Sequence, residues 1–138
     1  MIDEMTPPEA WEILKNNPQA VLLDVRSRVE FEYVGHPPDA INIPWKDAPD
    51  WQIDPGFVNK VKAALAQRRP NAGSREELPI LVLCRSGARS RTAGEMLQEQ
   101  GFTRVYNVAE GFEGDRDENM HRNTINGWRV HGLPWEQS

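Results

Sequence analysis

The hydrophobic positions of the chain fall into short apolar runs separated by longer stretches of mixed character. Two runs, AVLLDV at 20–25 and PILVLC at 79–84, are continuous and of strand length. Runs of this kind predict strands buried on both faces, which is typical of parallel sheets. AINIP at 40–44 and RVYNV at 104–108 predict two further strands.

The stretches between the predicted strands carry helix signals. Thr6 and Glu9 have the spacing of a capping box, with Pro7 at the first helical position, so a helix is predicted to begin there and to end before Pro18. Ser27 and Glu30 repeat the capping pattern and predict a short helix through about Tyr33. Two longer helices are predicted at 59–67 and 88–102, and their inward-facing residues are Val61, Ala64, Leu65, Ala93, Met96 and Leu97.

This alternation predicts an α/β fold, with a mainly parallel central sheet and helices on both faces. The length suits one domain, 1–138, with a core over about 5–135 and a surface excursion at 112–127. A net charge of −5 argues against a nucleic-acid or anionic-membrane partner. Because no apolar stretch is long enough to span a bilayer and the first residues are acidic, we expect a cytoplasmic protein.

Cys84 is the only cysteine of the chain, so neither an intramolecular disulfide nor a CxxC redox pair is available. His36, His121 and His131 lack the paired spacing of a zinc site, and we expect no metal and no cofactor. Cys84 follows a predicted central strand and precedes a helix. Open α/β sheets bind their ligands at this position, so the cysteine is a candidate nucleophile.

The sequence after the cysteine, CRSGARS, is suited to anion binding. A helix N-terminus offers unpaired N–H groups, and Ser86, Gly87 and Ala88 are small enough for a tight curl in which Gly87 takes a positive φ. Arg85, Arg89 and Arg91 form a local cationic patch that favours a thiolate at Cys84. The alternative is that Cys84 is a small buried hydrophobe and that Arg89 and Arg91 are solvated helix residues.

Three stretches together resemble a rhodanese (sulfurtransferase) domain. They are LLDVRSRVEFEYVGHPPDAINIP at 22–44, PILVLCRSGARS at 79–90 and NGWRVHGLP at 126–134. The resemblance covers nearly the whole chain and implies the three-layer rhodanese-like fold. It also implies that Cys84 carries sulfane sulfur as a persulfide, in a loop of Arg85, Ser86, Gly87, Ala88 and Arg89 whose amides cradle the terminal sulfur.

The implied reaction is a double displacement, in which a thiosulfate-like donor leaves sulfur on Cys84 and cyanide or a thiol removes it. Arg89 would close the loop, and Arg85 is the candidate to hold the anionic donor. Asp24 and Arg26 match positions that support this end of the sheet, and we interpret Asp24 as structural, bound to loop amides or to an arginine. Glu30 and His36 are interpreted as a cap and a turn residue.

Three alternatives remain from the sequence. Phosphatases and arsenate reductases of related fold use a loop one residue longer, whereas four residues separate Cys84 from Arg89 here. A non-catalytic module would bind a protein partner, but such modules typically lack the cysteine. A persulfide carrier, with a protein as sulfur donor or acceptor, would share the same loop chemistry. Pro37 and the polar 112–127 stretch depart from the family pattern.

Overall fold

The computed structural model describes residues 2–138 and contains a parallel sheet of five strands. The strands are β1 (Asp3–Met5), β2 (Val21–Asp24), β3 (Ile41–Asn42), β4 (Ile80–Leu83) and β5 (Val105–Val108). Their order across the sheet is β1-β5-β4-β2-β3, and all neighbouring pairs are parallel. The predicted mainly parallel sheet is confirmed, and β4 lies at its centre.

Three α-helices connect the strands: α1 (Pro7–Asn16), α2 (Phe57–Arg68) and α3 (Ala88–Glu99). The predicted capping box at Thr6 and Glu9 is present in both directions, with Pro7 in the first turn. Ser27 and Glu30 also exchange the predicted hydrogen bonds, but the segment that follows is mostly a π-helix, Glu30–Val34. A short 3₁₀ helix, Arg75–Glu77, precedes β4.

Alternate residues of β4 point to opposite faces of the sheet, as strand geometry requires. Ile80 and Val82 join one buried cluster, which includes residues of α2 and α3. Leu81 and Leu83 join a second cluster with residues of α1 and of the C-terminal segment. The sheet is therefore covered by helices on both faces, as predicted.

Strand β1 was not predicted from the sequence. It spans three residues, two of them acidic and exposed, so it gives neither an apolar run nor a clear alternation. It forms by pairing with β5, where Asp3 aligns with Tyr106 and Met5 with Val108. This edge strand is determined by its partner and not by its own composition.

The 112–127 stretch, which we expected on the surface, begins inside the protein. Phe112 is fully buried, and Gly114 and Gly127 are also buried, whereas 118–121 is exposed. Trp128, directly after the stretch, is fully buried as well. The stretch is thus a loop whose two ends are anchored in the core. No helix within residues 2–138 is long and apolar enough to cross a membrane.

Candidate active site

Cys84 lies directly after the central strand β4, at the carboxyl edge of the sheet, and is 1% exposed. Its Sγ lies 3.2 Å from the backbone nitrogen of Gly87 and 3.2 Å from the hydroxyl oxygen of Ser90. Gly87 caps α3 with a φ of +111°, the left-handed conformation that the tight curl was predicted to need. The loop therefore turns a backbone N–H toward the sulfur.

Further N–H groups of the loop remain available. Among residues 2–138, no hydrogen-bond partner is found for the backbone N–H of Ser86, Ala88 or Arg89. These groups belong to the loop and to the first turn of α3, where the helix dipole is positive. Unpaired N–H groups in a loop that follows a cysteine are suited to binding an anionic atom.

Residues that follow β5 form hydrogen bonds with the backbone of the cysteine loop. The N–H of Phe112 donates to the carbonyl of Cys84 at 2.8 Å, and the N–H of Glu113 donates to the carbonyl of Arg85 at 2.9 Å. Gly111 lies so close that an added Cβ would stand 2.5 Å from the carbonyl carbon of Arg85, and its φ is +67°. Only glycine fits this position without displacing the loop.

The three arginines of the predicted cationic patch have different surroundings. Arg89 makes a bidentate pair with Glu30, at 2.8 and 2.9 Å, and Arg91 pairs with Glu4 at 2.8 Å. The side chain of Arg85 is exposed and forms no hydrogen bond or ion pair within residues 2–138. Two of the three arginines of the expected patch are therefore held by carboxylates, and in the described part of the chain Arg85 alone has no ion-pair partner.

Comparison with known proteins gives the family. Residues 6–118 match the family described as Rhodanese-like domain. The chain belongs to the rhodanese-like domain family. It is 31% identical over 133 residues to the thiosulfate sulfurtransferase GlpE of Actinobacillus pleuropneumoniae, covering 96% of this chain and 92% of the relative. It is also 28% identical over 141 residues, 98% of each chain, to an uncharacterized protein of Rickettsia rickettsii.

Solved structures agree with this family. The crystal structure of Rv0390 from M. tuberculosis shares 38% identity with a TM-score of 0.83, covering 99% of this chain and 98% of that one. The polysulfide-sulfur transferase homodimer from Wolinella succinogenes shares 25% identity with a TM-score of 0.61, covering 99% of this chain and 80% of that one. The predicted rhodanese-like fold is thus confirmed.

In this rhodanese-like domain, Glu30 is both a helix cap and the partner of the loop arginine. Burial raises the pKa of Glu30, but the hydrogen bonds and charge of Arg89, together with Ser27, outweigh burial and lower it from 4.5 to about 2. Hydrogen bonding to Glu30 in turn raises the pKa of Arg89. The side chain interpreted from sequence as a cap therefore also ties the Glu30–Val34 helix to the start of α3.

Asp24 and Arg26 form a buried pair, each with a fully buried side chain. Arg26 Nη2 lies 2.6 Å from Asp24 Oδ2, and it also donates to the carbonyl of Gly35 at 2.7 Å. The backbone N–H of Arg26 donates to Asp24 Oδ1. The guanidinium carbon lies 4.5 Å from the centre of the Phe112 ring. The pair joins β2 to the turn before β3 and to the residues beneath the cysteine loop.

Two polar residues of the site were missed by sequence reasoning. The Ser90 hydroxyl contacts Cys84 Sγ and is also bonded to Asn107 Oδ1, while Asn107 Nδ2 donates to Glu4 Oε1 at 2.8 Å. Ser90 and Asn107 are fully buried. A polar residue inside the otherwise apolar end of a predicted strand, as Asn107 is in RVYNV, was the available signal.

The cysteine loop opens onto a cleft of about 490 Å³, bounded by Glu30, Val34, Trp51, Arg85, Arg89 and Glu113. Trp51 lines this cleft, whereas Trp45 and Trp128 are buried in the core. His36 is held by structural contacts: its Nδ1 bonds the carbonyl of Phe31 and its ring stacks on that of Phe31.

Proposed function

We propose that this protein is a sulfurtransferase that moves sulfane sulfur from a thiosulfate-like donor to a thiophilic acceptor, cyanide or a thiol, through a persulfide on Cys84. The observation that carries the proposal is the environment of Sγ, which faces the Gly87 N–H and the Ser90 hydroxyl at 3.2 Å each. Donors at this distance stabilise a thiolate, the nucleophilic form of cysteine.

In the first displacement, the Cys84 thiolate attacks the outer sulfur of thiosulfate. A new S–S bond forms to Cys84, the S–S bond of thiosulfate breaks, and sulfite leaves with the bonding electron pair. The enzyme then holds a persulfide anion. In the second displacement, cyanide or a thiolate attacks the terminal sulfur, and the Cys84 thiolate leaves. The charge is conserved in each step, and no external oxidant or reductant is needed.

The loop supports the anionic terminal sulfur of the persulfide. The backbone N–H groups of Ser86, Ala88 and Arg89 have no other partner within residues 2–138, so they are available to this atom. Donors that the fold already holds in place need no reorganisation when charge develops, which is the usual source of electrostatic catalysis. Arg85 is the group for the sulfonate end of the donor, and Arg89 positions the loop through Glu30.

The comparisons support this activity over phosphoryl transfer. GlpE, a thiosulfate sulfurtransferase, is aligned along 96% of the chain. The loop has four residues between Cys84 and Arg89, and Arg89 is committed to a carboxylate partner. A phosphate would need a wider loop with that arginine free to bind its oxygens.

The test is mass spectrometry of the purified protein after incubation with thiosulfate. We expect a mass gain of one sulfur atom, removed by cyanide with release of thiocyanate. Because the chain has one cysteine, a mass gain that cyanide reverses identifies Cys84 as the residue that carries the added sulfur. Cys84→Ser should lose both the gain and turnover while keeping the wild-type circular dichroism spectrum. Turnover that persists in Cys84→Ser, or the absence of any gain in the wild type, would refute the proposal.

A further inference from the structure

The 112–127 loop, which departs from the family pattern, is ordered by hydrogen bonds between its own residues. Asp117 is its centre: its carboxylate accepts the backbone N–H groups of Asn119 and His121 and the hydroxyl of Thr124, at 2.8 to 2.9 Å. These hydrogen bonds lower the pKa of Asp117, with that from His121 contributing most. The loop is thus an ordered element, and its side chains occupy defined positions.

The loop is joined to the residue that follows the catalytic cysteine. The N–H of Gly114 donates to the carbonyl of Arg85 at 3.2 Å, and the carbonyl of Gly114 accepts from Arg122 Nη1 at 2.7 Å. A single residue, Gly114, therefore connects the Arg122 guanidinium to the backbone of Arg85. Arg116 lies two residues beyond Gly114 on the same loop.

Arg122 lies close enough to Arg85 and Arg116 to be affected by the charge of each. Burial lowers the pKa of Arg122, and the charges of Arg85 and Arg116 lower it further, against smaller opposing effects of Glu113 and Asp115. Within residues 2–138, Arg85 and Arg116 form no ion pair, and the bond from Arg122 goes to a carbonyl. Holding like charges together without carboxylate partners raises the energy of the free protein, which is typical of an anion site.

The nearby carboxylates are already engaged. Glu113 lies 4.0 Å from Arg129, Asp115 accepts from Asn126, and Glu30 is paired with Arg89. The molecule as a whole carries a charge of −5, so this concentration of unpaired positive charge is local. Arg85 and Glu113 both line the cleft beside the cysteine loop, so the loop that carries Arg116 and Arg122 begins at the wall of this cleft.

We propose that Arg116 and Arg122 extend Arg85 into an anion-binding surface at the mouth of the Cys84 cleft. This surface selects small sulfur compounds that carry a carboxylate or sulfonate group beyond the sulfur that reacts. The inference rests on the proposed function for its substrate class. The same charge chemistry is present in an anionic donor such as thiosulfate and in an acceptor thiol with carboxylates, so the experiment treats each half-reaction separately.

The first experiment tests whether the surface attracts anions, and it does not depend on sulfur transfer. Iodoacetate and iodoacetamide alkylate the same thiol and differ in charge, and Cys84 is the only target thiol in the chain. We expect the double variant Arg116→Gln/Arg122→Gln to lower the ratio of the iodoacetate rate to the iodoacetamide rate by about tenfold, the lower end of electrostatic steering effects. An unchanged ratio would overturn the proposal, whether or not a persulfide forms.

Arg104→Gln is the matched control, because it removes an exposed arginine that precedes β5, at the opposite edge of the sheet from Cys84. Arg68→Gln, at the end of α2, is added to this control so that it loses two positive charges, as the double variant does. We expect Arg104→Gln/Arg68→Gln to leave the ratio within about twofold, since exposed charges beyond a Debye length are screened. An equal loss in this control would assign the effect to net charge and overturn the proposal.

The second experiment identifies the substrate class. In the acceptor half-reaction, mercaptosuccinate is compared with the neutral thiol 2-mercaptoethanol; in the donor half-reaction, the rate of sulfite release from thiosulfate is measured. We expect the double variant to lose about tenfold in kcat/KM for at least one anionic substrate and less than twofold for 2-mercaptoethanol. The affected half-reaction identifies donor or acceptor. Equal losses for charged and neutral thiols, with no change for thiosulfate, would overturn the assignment.

Discussion

The hydroxyl group of Ser90 has one proton and three acceptors within reach: Cys84 Sγ, the Gly87 carbonyl and Asn107 Oδ1. Asn107 Nδ2 donates to Glu4 and to the Gly87 carbonyl, which fixes the amide so that its oxygen faces Ser90. The hydroxyl can therefore accept from a Cys84 thiol while donating to Asn107, or rotate and donate to a thiolate. Ser90 serves both protonation states of the nucleophile.

Replacing Ser90 by alanine removes this donor from a buried sulfur. Hydrogen bonds to charged groups contribute about 1.5–3 kcal/mol, so we expect Ser90→Ala to slow persulfide formation from thiosulfate by about tenfold or more. The measurement is the rate of sulfite release in a single turnover, at a protein concentration above that of thiosulfate. The denaturant midpoint of the variant is determined alongside, because Ser90 is fully buried.

Thr92→Ala is the control for that experiment. Thr92 lies on the same helix but is exposed, and within residues 2–138 its hydroxyl bonds only the carbonyl of Ala88, one turn back. We expect the control to react at the wild-type rate. A Ser90→Ala protein that is folded and releases sulfite as fast as wild type would show that the hydroxyl does not contribute to the nucleophile.

At the scale of elements, the sequence predicts the strands and helices whose pattern lies within their own residues. β2 and β4 are continuous apolar runs, and α1 has a capping box and a proline in its first turn, so each is predictable from its own residues. β1 has three residues and no apolar pattern, and the Glu30–Val34 segment adopts π geometry where a short helix was expected. Both depend on what they pack against.

The ion-pair partners of the site arginines also could not be predicted from local sequence. Arg89 and Glu30 are 59 residues apart, and Arg91 and Glu4 are 87 residues apart. The loop motif predicts arginines near the cysteine, but their partners are determined by the strand order, which brings β1 next to β5 and β2 next to β4. The loop sequence therefore predicted a cationic patch of three arginines, of which the fold leaves only Arg85 without an ion-pair partner within residues 2–138.

The Glu30–Arg89 pair predicts an acid-dependent loss of stability. The pKa of Glu30 is about 2 in the folded protein and 4.5 as its ordinary value. Between these values the unfolded state binds more protons than the folded state, so the free energy of unfolding falls as the pH falls from 4.5 to about 2. The contribution of the Glu30–Arg89 pair to the free energy of unfolding is fully present above pH 4.5.

We expect Glu30→Gln to be less stable than wild type at neutral pH and to show a smaller decrease in stability over the acid range. Urea denaturation at a series of pH values measures this. Glu32→Gln is the control, because this exposed residue on the same helix has no side-chain hydrogen bond or ion pair within residues 2–138. If Glu30→Gln and wild type lose stability in parallel, the pair does not contribute in the way the structure indicates.

At the scale of the whole molecule, the C-terminal segment completes the second core cluster. The family match ends at residue 118, yet Trp128 is 0% exposed and packs edge to face on Trp11 of α1. Its backbone N–H donates to Gly111 at 2.8 Å, and its indole N–H donates to the carbonyl of Pro134 at 2.8 Å. Trp128 thereby connects α1, the glycine beneath the cysteine loop and the last residues of the chain.

We therefore predict that the chain unfolds as one unit whose stability depends on Trp128. Removing a buried tryptophan side chain typically costs about 3–5 kcal/mol, so Trp128→Ala should lower the free energy of unfolding by that amount in a single transition. Denaturant unfolding followed by far-ultraviolet circular dichroism and by fluorescence measures it. Trp51→Ala, at a residue 49% exposed, should cost about 1 kcal/mol or less. Two separate transitions, or equal costs for the two variants, would mean that the segment after residue 118 is not part of the core.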